Sequence, residues 1–104
     1  MTPMLLAILA ALSFTSGGVF MKYADGARHA VPVVAYITVF GIGAVLQSQA
    51  MRGTGLGATY ILVLGLEAAL AFGLGVVLFD EAATWRKLAA VTLIVAGIAL
   101  LRSE

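Results

Sequence analysis

Apolar residues run in four long blocks along the chain, and the polar residues fall mostly between them. The first block covers about residues 4–21, with no charge before Lys22. A polar connection follows with Lys22, Asp25, Gly26, Arg28 and His29, in which Gly26 supplies a helix stop. Pro32 stands where proline is tolerated, in the first turn of a helix, and opens a second block over about residues 33–51. That block turns polar at its end through Gln47, Ser48, Gln49 and Arg52, and Gly53-Thr54-Gly55 reads as a turn. The third block, residues 56–79, holds a single charge, Glu67, and stops at Asp80 and Glu81. The pattern predicts membrane-spanning helices, each near the ~20 residues that a hydrocarbon core requires.

The fourth block is shorter. Leu88 to Leu101 makes about 21 Å of helix at 1.5 Å per residue, against a core about 30 Å thick. Extending it back through Ala82, Ala83, Thr84 and Trp85 closes the gap, with Arg86 and Lys87 snorkelling and Trp85 at the interface. The fourth span is therefore placed at residues 84–101, sheltered by a partner chain. The first span has no basic stretch before it and no clear cleavage site after it. It is expected to be a retained helix rather than a secretion signal.

Composition agrees. Of 104 residues 62% are hydrophobic and 11% charged, where soluble domains average about 45–50% and about 25%. The expected fold is an all-α integral membrane protein, one domain of four transmembrane helices over residues 1–104. Disorder, a disulfide framework and a conventional cytosolic enzyme are excluded. A net charge of +1 is too small for nucleic acid, whose phosphates demand a basic patch. With no cysteine and one histidine, His29, thiol chemistry and Cys/His metal sites are excluded. No catalytic triad or phosphate loop is present either, so no enzyme activity, cofactor or metal is expected.

The basic residues of the short loops set orientation. Lys22, Arg28, Arg86 and Lys87 lie on one side, Arg52 and Arg102 on the other. This is a weak bias toward termini outside the cytoplasm, and it is also compatible with insertion in both senses. Residues 1–52 and 53–104 show no internal repeat, so any symmetry has to come from a second copy. Small residues (Gly17, Gly18, Gly41, Gly43, Gly65, Gly73, Gly75) suit close helix packing in lipid. In the fourth block Ala90, Leu93, Ile94 and Gly97, spaced three and four apart, form a candidate dimer seam.

Glu67 is the most informative residue. It lies halfway along the third span, where an acidic residue costs about 2.5–3.5 kcal/mol and therefore usually faces a bundle interior or a wet cavity. A carboxyl group that gains and loses a proton there can exchange it for a cation. In a homodimer two such groups can titrate as a coupled pair. The plainer reading is a protonated carboxyl hydrogen-bonded to a neighbouring helix. Tyr60, Val63 or Leu64, Glu67 and Ala71 share one helical face, and Tyr60 can offer its hydroxyl or its ring to a cation. On the first helix Ser13 and Gly17 share a face, with the Ser16 hydroxyl nearby; such hydroxyls usually bond to their own backbone.

The layout resembles the small multidrug resistance family, a branch of the drug/metabolite transporter superfamily. The resemblance covers essentially the whole chain. It rests on Met1-x-Pro3, on Gly17-x-x-x-Met21-Lys22-x-x-Asp25-Gly26, and on Pro32. It continues through Gly57-x-x-Tyr60, Gly65 and Leu93-Ile94-x-Ala96-Gly97. It implies an antiparallel, dual-topology homodimer in the cell inner or plasma membrane that exchanges protons for organic cations, with the fourth helix at the dimer contact. It also implies that Tyr60 lines the cavity. The chain departs from the family where a first-helix glutamate is expected, since Phe14 stands there. Val63 takes the place of a third-helix tryptophan and Phe40 that of a second-helix tyrosine, while Glu67 replaces a small residue. Phe14 is carried over only as a position facing the cavity.

The expectation is a proton-coupled exporter of a small cationic or polar solute, with its acidic site moved to the third helix. Its site residues are Glu67, Tyr60, Ser13, Phe14, Gly17 and Val63, and its partners are membrane lipid, a second copy and a small-molecule substrate. Two alternatives stand beside it: a translocator of lipid-linked solutes, to which the apolar Phe14 and Val63 are suited, and one subunit of a heterodimer whose similar short partner supplies the missing glutamate.

Overall fold

A computed structural model describes residues 2–102; Met1 of the start motif and the side chain of Arg102 lie outside them. The described residues form four helices and no strand: α1 (Pro3–Ala24), α2 (Ala30–Ala50), α3 (Leu56–Phe79) and α4 (Trp85–Arg102). The first three are long and apolar enough to cross a membrane.

Local chemistry sets the ends. Thr2 caps α1, its hydroxyl accepting from the Leu5 N–H at 3.1 Å, and Pro3 enters the first turn where its missing N–H costs nothing. The helix runs a turn into the expected polar connection and stops at Asp25, which adopts a left-handed conformation. Gly26 and Ala27 continue with positive φ, which Gly26 tolerates at no steric cost. Asp80 ends α3 in the same left-handed way, with the Glu81 N–H donating back to the Gly75 carbonyl. The expected extension of the fourth helix through Ala82 and Ala83 does not form. Thr84 caps it instead: its hydroxyl accepts from the Lys87 N–H at 3.3 Å and its carbonyl from the Leu88 N–H. The resulting 18 residues of α4 make about 27 Å of helix, close to the core thickness.

The short connections reverse the chain from one helix to the next, so α1 and α3 run in the same direction. In space the order is α2, α1, α3, α4. Among the described residues the first helix packs against both α2 and α3, α2 barely reaches α3, and α4 touches α3 alone. The molecule is a flat row, 43 × 34 × 18 Å. The first helix takes the central place because Ala7, Ala10 and Ala11 let it approach the fully buried Val63 of α3. Phe14, Leu46, Leu62 and Leu66 close around that cluster.

The glycines divide into two groups. A side chain on Gly17 would collide with the Phe40 ring and on Gly65 with Ile98, and on Gly43 it would press on the Phe14 ring. Gly18, Gly41, Gly73 and Gly97 face open space within the chain. At one membrane boundary the Phe79 ring lies 5.4 Å from Tyr23, and the Lys22 ammonium is 5.9 Å from its centroid, tying the ends of α1 and α3 together.

Candidate functional site

On one face of the row α1, α2 and α3 line an open cavity of about 400 Å³, within the usual range for small-molecule sites. The first helix contributes Phe14, α3 contributes Tyr60, Leu64 and Glu67, and α2 contributes Ala44, Gln47, Ser48 and Met51. Glu67 is half-buried and, among the described residues, brings the only charge to the lining. Its carboxylate makes no hydrogen bond or ion pair among the described residues, so no neighbouring helix satisfies it. No cluster of metal-ligating side chains occurs among the described residues.

The structure brings together three of the expected site residues, Glu67, Tyr60 and Phe14, and places the other three elsewhere. Val63 is fully buried against Ala7, Ala10 and Ala11, so Leu64 is the member of that pair that faces the cavity. Neighbours in a helix point about 100° apart, and the close approach of α1 to α3 takes Val63. Gly17 is the notch that receives the Phe40 ring. Ser13 is half-buried and outside the cavity lining, while Ser16 donates to the Leu12 carbonyl at 2.8 Å.

The contribution of α2 escapes sequence reading, which takes Gln47 and Ser48 as the polar end of a helix. The signal is present: Ala44, Gln47, Ser48 and Met51 recur at intervals of three, one and three, a single helical face. Gln47 is only 7% exposed, and its carboxamide has no hydrogen-bond partner among the described residues.

Phe14 and Phe40, where the resemblance expects a glutamate and a tyrosine, meet in a single contact. The Phe14 and Phe40 rings lie 5.9 Å apart at 50°, and Tyr36 extends the series at 5.6 Å from Phe40. Each ring of the first pair fills a notch on the opposite helix, Phe14 at Gly43 and Phe40 at Gly17. An apolar, interlocked contact stands where a carboxylate would need a polar partner.

Comparison with known families adds the identity. The family model of the small multidrug resistance protein matches residues 2–94, which include all of α1, α2 and α3 and the first half of α4. The chain belongs to the small multidrug resistance family. No curated protein matches it. As a member of that family it is a multi-pass membrane protein and a small transporter of the multidrug-resistance type.

Of the residues expected to form a dimer seam on α4, Ile94 and Gly97 line a second hollow. An open apolar groove of about 790 Å³ runs between α3 and α4, lined by Ile61, Leu64, Gly65, Ile94, Gly97 and Ile98 among others. Ile94 also packs on Gly65, whereas Leu93 is 73% exposed and Ala90 and Gly97 are uncovered.

Proposed function

We propose that this small multidrug resistance transporter exports a small cationic or polar solute in exchange for protons, with Glu67 as the group that binds the two alternately. The supporting observation is the Glu67 carboxylate, unpaired among the described residues, in a cavity to whose lining those residues bring no basic side chain. A cation entering that cavity meets a fixed negative charge in a low-dielectric setting, where the attraction is far larger than in water. A proton neutralises the same charge, so proton and cation compete for one carboxylate. Phe14 and Tyr60 supply ring faces to the organic part of the solute.

The functional unit is an antiparallel homodimer in the cell inner membrane. A row 18 Å thick is less than two helix diameters deep, so a single copy leaves its cavity open on one side. A second copy seated on the α4 seam supplies the missing wall.

The test is proton release from the purified protein in liposomes when small organic cations are added. Wild type releases protons and Glu67→Gln does not; equal release from both overturns the reading. Ser13→Ala, a change outside the cavity lining, has at most a mild effect.

A further inference from the structure

We infer that Gln47 is a specificity-determining residue, and that the transported cation carries N–H donors on its charged head, as a protonated primary amine does. The inference rests on the Glu67 reading above and narrows its substrate class.

Gln47 is more than nine-tenths buried, yet its carboxamide bonds to nothing among the described residues. Its amide atoms are not sealed off with the rest of the residue: they open on a cavity, where water or a ligand can pair with them. The side chain lines the cavity that holds Glu67, so the open partner is whatever enters that cavity. Ser48, one residue on, and Tyr60 across from α2 add hydroxyls to the same lining. The carboxylate, the carboxamide oxygen and the two hydroxyl oxygens are acceptors; the carboxamide N–H₂ and the hydroxyls can also donate. An ammonium head with several N–H bonds can satisfy the carboxylate and the carboxamide oxygen together. A quaternary ammonium satisfies only the charge. It displaces water and leaves the Gln47 amide without a partner, and sites built around a hydrogen bond discriminate strongly against ligands that lack it.

Butylammonium and tetramethylammonium provide the comparison, since they are isomers with the same charge. Binding of each to the full chain in detergent is measured by calorimetry for wild type, Gln47→Leu and Glu67→Gln. Wild type is expected to favour butylammonium by roughly tenfold or more, the effect of one buried polar group left unpaired. Gln47→Leu is expected to remove that preference by weakening butylammonium while tetramethylammonium binds as before. Glu67→Gln weakens both isomers. Equal wild-type affinities, or a preference that survives in Gln47→Leu, overturn the inference while leaving the Glu67 reading intact. Loss of neither isomer in Glu67→Gln overturns that reading itself; a wild type that binds tetramethylammonium but not butylammonium overturns the inference alone, and one that binds neither overturns both. The wild-type ratio needs no variant, so the test stands even if Gln47→Leu folds poorly.

Discussion

At the scale of single residues, hydroxyls divide by whether they find a partner. Ser16, Thr38 and Thr92 each donate to the carbonyl four residues back at 2.8 Å, the usual arrangement for a hydroxyl within an apolar helix. The Thr15 and Thr59 hydroxyls are buried without a partner among the described residues. Thr59 is 1% exposed, so its hydroxyl is cut off from water as well. Valine keeps the shape and removes the unmet group, and Thr59→Val is expected to stabilise the fold by about 1 kcal/mol. Thermal unfolding in detergent measures this; a clear loss of stability would mean that the hydroxyl is used in the native protein. Glu67 and Gln47 are unpartnered in a different way, because they open on a cavity that can take a ligand.

At the scale of helices, the contact between α1 and α2 depends on reciprocal fit. The Phe40 ring occupies the space beside Gly17, and the Phe14 ring the space beside Gly43. An aromatic ring is stiff and cannot yield to an added methyl group, so Gly17→Ala is expected to destabilise the pair by about 1–3 kcal/mol. Phe40→Leu in the same chain should recover part of that loss, because the two positions share one contact and their effects cannot be additive. A double-mutant cycle by thermal unfolding checks it, and strict additivity would contradict the interlock. Gly18 and Gly41, one residue along from these positions or nearly so, face open space and give no such signal.

At the scale of the whole molecule, α4 is held on one side only, by α3, and Leu93 and Leu100 are each 73% exposed. Lipid can cover such a surface, but the groove beside Gly97 suits a close-packed helix better, since association in lipid depends on shape and small residues. Gly97→Trp is expected to convert the proposed dimer to monomer, read by the mass of the detergent-solubilised protein and by cross-linking. Gly73→Trp, on a helix surface equally free of contacts within the chain, serves as the control. An unchanged dimer in Gly97→Trp would remove the seam from α4.

Much of this was legible without coordinates. The four apolar runs, their breaks at Gly26, Gly53 and Asp80, and an acid halfway along the third run come from the sequence, because lipid forces each span to satisfy its own backbone within a continuous apolar helix. What the sequence could not supply is direction around each helix axis. Apart from the short Gln47 and Ser48 face of α2, these helices are apolar on every side, so little announces which way a residue points. Only packing decided that Val63 turns to α1 and Leu64 to the cavity, that α1 rather than α3 lies at the centre of α2, α1 and α3, and that Gln47 and Glu67, twenty residues apart in the chain, line the same cavity.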